Sequence, residues 1–185
     1  MALGLKCGSV ALVDHDSDWE SIAVRTIERL WRVFGSVAKD IQHVGSTSVN
    51  GIKAKPSIGI VIAVDHFELV ESLIPNMEQE GFIVTFGFKE EEWKIIVYAD
   101  KSYSVETHSI LLVKCNNSKY RDALCFRDYL NANPKAAKRY EAHKLEIAEK
   151  ANNDRSVYKK NKSDFMKQIL EETLTWSSAS VTKAD

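Results

Sequence analysis

The residues best suited to chemistry lie between His43 and Pro56. They are a glycine-, serine- and threonine-rich stretch with two lysines, Lys53 and Lys55, set between two apolar runs. A strand, a hydroxyl-rich turn and a second strand together present backbone N–H groups and hydroxyls to a phosphate. On that reading His43, Gly45, Ser46, Thr47 and Lys55 are the candidate phosphate contacts, with the Ser46 hydroxyl and N–H on a terminal phosphate. A plain polar turn has the same composition. The stretch is not a Walker A element. Gly45 and Gly51 are separated by five residues instead of four, and Ile52 follows Gly51 where Lys-Ser/Thr belongs. The next run, 57–64, contains no carboxylate, so a site shaped for a nucleotide lacks an evident metal ligand there.

A second constellation is Glu106 and His108. On a strand, residues i and i+2 share a face, so the two side chains are expected to point the same way and to hold a metal or move protons. The exposed face of an edge strand is the alternative. No G-x-S-x-G elbow supports Ser-His-Asp catalysis. Cys7, Cys115 and Cys125 are far apart with no CxxC pairing, which suits free thiols in a reducing compartment better than zinc or redox chemistry. Glu90, Glu91 and Glu92 read as a solvated turn.

Three cations stand on or beside apolar helix stripes. Arg127 accompanies Ala123 and Leu130; Lys144 accompanies Ala137, Tyr140 and Ala148; Lys162 lies beside Phe165, Met166 and Ile169. Either their stems snorkel past the core edge, or the three converge on an anionic ligand. Lys159 and Lys160 read as solvated surface.

The elements that must position these groups are legible from periodicity. Ser17 and Glu20 read as a capping box. The helix after it carries Trp19, Ile22, Ala23, Ile27, Leu30 and Phe34 on one face and ends at Gly35. Strands are expected at 10–13, 39–44 and 57–64, the last buried on both faces. Asp65 and Glu68 form a second capping pair for a helix with Phe67, Val70, Ile74 and Met77 inside and Gly81 past its end. Strands at 82–86, 93–99 and 104–113 then suggest an antiparallel portion. Helices follow at 120–130, at 134–150 with Asn133 as N-cap and Pro134 in the first position, and at 157–174. The tail 176–185 reads as disordered. The expected fold is α/β (α+β): one domain over 1–175, a mixed sheet flanked by helices, helical from about 118.

With 185 residues, 44% of them apolar and 28% charged, the chain has the composition of a soluble globular domain. Its formal net charge of −1 gives no strong signal for nucleic acid. No run approaches the roughly 20 apolar residues that span a bilayer. The N-terminal stretch does not have the form of a signal peptide, so a cytoplasmic location is expected.

Several patches taken together resemble the GrpB family. His43-Val44-Gly45-Ser46-Thr47-Ser48-Val49, with Gly51 and Ala54-Lys55-Pro56, looks like its signature. So does Phe126-Arg127-Asp128-Tyr129-Leu130, followed by Pro134, Tyr140 and Lys144, and then by Tyr158, Lys162 and Phe165. The resemblance covers roughly residues 8–170. It implies the nucleotidyltransferase fold superfamily, with a Gly-Ser turn after the first core strand, and it favours phosphate-binding roles for Gly45, Ser46, Arg127, Lys144 and Lys162. It implies no firmly assigned reaction, because the link to nucleotidyl transfer is one of fold.

This chain departs from that pattern at three places. Asn50 stands where the family usually has proline. Gly59 stands where the family usually has an aspartate, in a Lys-Pro-x-Ile-Asp-Ile run. Glu106-Thr107-His108 replaces a His-x-His element. Nucleotidyl transfer in the superfamily relies on carboxylates that hold Mg²⁺ against a triphosphate. The expectation is therefore a protein that binds a nucleotide or another phosphorylated small molecule with catalysis weakened or lost, a pseudoenzyme. Two alternatives remain. One is an active Mg²⁺-dependent nucleotidyltransferase in which Glu106, as metal ligand, and His108 stand in for the aspartate. The other is a non-enzymatic interaction module.

Overall fold

The computed structural model describes residues 3–89, 92–152 and 154–181. The order is β1 (Leu5–Lys6), α1 (Asp18–Phe34), β2 (Ala38–Val44), β3 (Ile58–Val64), α2 (Ile74–Gln79), β4 (Val84–Lys89), β5 (Glu92–Tyr98), β6 (Val105–Lys114), α3 (Ser118–Ala132), α4 (Pro134–Lys150) and α5 (Arg155–Val181). The sheet runs β2-β3-β6-β5-β4, with β1 added to one end of β6. Only the β3–β6 pair is parallel; the other pairs are antiparallel. This is the mixed sheet with a helical C-terminal third that the sequence pattern implies.

β3 is apolar throughout and nearly wholly buried, because helices cover both of its faces. On one face α1 sets Trp19, Leu30 and Phe34 against Ile60, Ile62, Ile110 and Leu112. On the other face Val61 and Val113 meet Ala123 and Leu124 of α3. A separate cluster joins the three C-terminal helices through Phe126, Leu130, Tyr140 and Ile169. Val49 and Ile52, from the connection between β2 and β3, are fully buried in that cluster. The hydroxyl-rich stretch is thus bolted to the sheet at its start and to the helices at its far end.

Several local expectations are corrected. Neither capping pair forms. Ser17 has helical backbone angles (φ −60°, ψ −20°), and its hydroxyl makes no cap bond, because a capping side chain needs an extended backbone. The Asp16 carboxylate accepts the Asp18 N–H instead, at 3.0 Å. Asp65 pairs with Lys39 at 3.1 Å. The helix expected after it breaks into two single 3-10 turns, Phe67–Leu69 and Glu71–Leu73, before the short α2. Pro75 in the first turn of α2 has no N–H to carry a longer helix through. The run 10–13 is no strand; it contributes one bridge, Val13 to Ala54. α5 continues beyond 174 to Val181. The expectations for Glu90, Glu91 and 182–185 lie outside the described residues. Among the described residues, no helix is long and apolar enough to cross a membrane.

Candidate functional site

A cleft of about 280 Å³ opens between the β2–β3 turn, the mouth of the sheet and α5. Gly45, Ser46 and Thr47 form one wall. Lys55, Ser57 and Gly59 come from the entry to β3, Lys94 from β5, and Glu106 and Ser109 from β6. Tyr158, Lys159 and Lys162 of α5 close the other side, and residues 9–12 supply a lip.

The turn is held by its own polar groups. Gly45 sits at φ 79°, a backbone conformation that a side chain would strain. Its carbonyl accepts the Ser48 N–H at 3.1 Å and the Ser48 hydroxyl at 2.7 Å. The Ser46 hydroxyl lies 3.0 Å from the Tyr140 hydroxyl of α4, which ties the turn to the helical third. His43 Nε2 lies 3.0 Å from the buried Thr47 hydroxyl. Burial, with the Arg127 charge nearby, lowers the His43 pKa to about 4, so the ring is neutral at pH 7. His43 and Thr47 therefore brace the turn, and Thr47 alone of the two also lines the cleft.

Gly59 pairs with Val44 across β2 and β3. A Cβ at Gly59 would stand 2.4 Å from the Val44 carbonyl oxygen, well inside any allowed contact. The strand spacing at Gly59 therefore leaves no room for the aspartate that the resemblance implies there.

Glu106 and His108 do not face one site. Val97 pairs with His108 while Tyr98 pairs with Glu106, so Thr107 is an extra residue in β6. Such a bulge breaks the two-residue alternation. Glu106 lines the cleft beside Ser109. His108 lies 3.1 Å from the Thr26 hydroxyl of α1 and 2.9 Å from that of Thr107. Burial lowers its pKa to about 4. Glu106 is 2% exposed; its Oε1 accepts the Lys55 ammonium at 2.6 Å and the Ser57 hydroxyl at 3.1 Å.

The three helix cations separate. Lys162 lines the cleft. Lys144 is buried beneath it. Its ammonium donates to the Lys53 carbonyl and sits 4.6 Å from the Tyr140 ring centroid. Burial, with Lys162 nearby, lowers its pKa to about 7. Arg127 lies on the far side of the turn, in a second depression shared with His43 and Asn131. It donates to the Gln42 Oε1 at 3.1 Å and to the His43 carbonyl at 3.0 Å. Arg127 thus clamps the end of β2, and Lys144 supports the Lys53–Lys55 wall from behind.

Two cleft cations escape the stripe argument. Lys159, expected on the solvated surface, stands at the mouth, three residues before Lys162 on the same helix face. Lys94 lies between Trp93 and Ile95, which face the α1 core; strand alternation therefore turns it toward the cleft. Strand parity and helix spacing both signal these positions. Among the described residues, neither Lys159 nor Lys162 has an ion-pair partner.

The donor set does not fit a Mg²⁺ site. Mg²⁺ demands near-octahedral oxygen coordination anchored by carboxylates. The cleft supplies one carboxylate, Glu106, and an ammonium already occupies it. No group of three or more His, Cys, Asp or Glu suited to a metal occurs among the described residues.

Comparison with known proteins agrees with this architecture. The family described as GrpB protein matches residues 9–172. A glutamate-rich protein GrpB from Alkalihalophilus pseudofirmus is 33% identical over 172 residues, 92% of this chain and 99% of that protein. The crystal structure of the conserved protein GrpB from Enterococcus faecalis superimposes with a TM-score of 0.78 at 24% identity, over 90% of this chain and 99% of that one. Cid1 poly(U) polymerase, in a structure with Mg and 3′-dATP bound, superimposes with a TM-score of 0.53 at 18% identity, over 76% of this chain and 43% of that one. At that identity the likeness is one of fold. The match over nearly the whole chain, on a nucleotidyltransferase-like sheet, makes this protein a member of the GrpB family.

Proposed function

We propose that the cleft binds a nucleotide or another phosphorylated small molecule without a divalent metal, and that nucleotidyl transfer is weakened or lost. The observation that carries this reading is the charge of the cleft. Lys55, Lys94, Lys159 and Lys162 surround one carboxylate, and Ser46, Ser57 and Ser109 add hydroxyls. Such a cleft raises the local concentration of anions and neutralises them on contact. Gly45 and Ser46 offer backbone and hydroxyl contacts to a terminal phosphate, and Lys162 and Lys159 close over it from α5.

Calorimetric titration with ATP tests the reading. A charge-assisted contact contributes enough that Lys162→Ala should weaken ATP binding about tenfold, with a smaller loss for Lys159→Ala at the exposed mouth. ATP affinity unchanged in both variants would contradict it. A Mg²⁺-dependent transferase acting through Glu106 and His108 has less support, because the β6 bulge turns the two side chains to different partners.

A further inference from the structure

We propose that the Lys55 ammonium is a resident cation: it occupies the side of Glu106 where a divalent ion would bind, and it neutralises the ligand's phosphate in the metal's place. This rests on the anion-binding reading of the cleft. Glu106 is the one carboxylate there, and it is 2% exposed. A buried carboxylate needs a counter-charge. Lys55 Nζ supplies it at 2.6 Å, on the same oxygen that the Ser57 hydroxyl reaches at 3.1 Å. That oxygen already accepts two hydrogen bonds, and a metal would have to displace an ammonium to reach it.

The position also suits the ligand. Both residues line the cleft, and the Lys55 side chain is 28% exposed against 2% for Glu106, so of the pair it is Lys55 that is open to a ligand. An ammonium carries three donors, enough to address a carboxylate and a phosphate oxygen together. The adjacent wall is fixed from behind, where the Lys144 ammonium holds the Lys53 carbonyl. At Gly59 the approach of the Val44 carbonyl bars a second carboxylate. The pair Lys55–Glu106 thus makes the cleft selective for anions that arrive without a metal.

The test uses the full chain, with ATP as probe, in EDTA and in Mg²⁺. The wild type and Lys55→Arg should bind ATP equally in both. Lys55→Met removes the ammonium from the Glu106 Oε1 and from the ligand's phosphate, so it should lose about tenfold in EDTA and recover in Mg²⁺. The double variant Lys55→Met with Glu106→Gln should lose the recovery. Should Lys55→Met fail to fold even with Mg²⁺, Glu106→Gln decides alone. Releasing Lys55 to the ligand should tighten ATP binding severalfold in EDTA, and weakened binding would overturn the proposal. Lys55→Met binding as well as wild type in EDTA, or showing no response to Mg²⁺, would also overturn it. A wild type that binds no ATP under either condition refutes the anion-binding reading itself.

Discussion

At the scale of single residues, Gly59 is the position with least room: a Cβ there would meet the Val44 carbonyl at 2.4 Å, so the strand spacing admits no carboxylate where the resemblance implies one. Gly59→Ala should therefore cost about 3 kcal/mol, read as a lower urea midpoint at unchanged slope. Gly59→Asp should cost more and should not create Mg²⁺-dependent binding. A stable Gly59→Asp protein that gains Mg²⁺ dependence would show that the strands part readily. The turn itself was readable from its residue types, since Gly45 and Ser46 line the cleft as their chemistry suggests. The roles of His43 and His108 were not readable. A sequence does not say that both rings will pack against hydroxyls, where partial or full burial lowers their pKa to about 4 and leaves them neutral.

At the scale of elements, the strands and long helices were legible because their apolar periodicity is strong, and α4 begins at the Asn133-Pro134 restart as expected. The losses came from events that periodicity does not encode. A single extra residue in β6 reverses the relation between Glu106 and His108. Pro75 confines α2 to 6 residues. The helix cations also sorted by depth, which a helical wheel does not show: Lys162 reaches the cleft, whereas Lys144 is 1% exposed below it. Lys144 yields a prediction about α4. Its pKa falls from 10.5 to about 7 in the folded chain. The unfolded chain therefore binds more protons between those values, and stability rises as pH increases through that window. The wild type should gain about 2 kcal/mol between about pH 7 and pH 9 from this group, and Lys144→Met should lack that gain. Parallel pH profiles for the two proteins would place Lys144 in a more polar setting than its burial implies.

At the scale of the whole molecule, the cleft exists only where two halves meet. The sheet brings Lys55, Lys94 and Glu106; α5 brings Lys159 and Lys162; the Ser46–Tyr140 contact joins the halves at the turn. A ligand bridging them should stabilise the fold as one unit, because anything that binds only the folded state raises its stability by mass action. The overall charge of −1 conceals this local excess of cations, and for that reason composition did not point to an anion site while the turn motif did. Anion binding without a divalent metal should be visible in the thermal shift of the wild-type chain with ATP, in EDTA and in Mg²⁺. At 100 times its Kd, ATP should add about 2.7 kcal/mol of stability, equally in both conditions. A shift that appears only with Mg²⁺, or no shift in either, would contradict it.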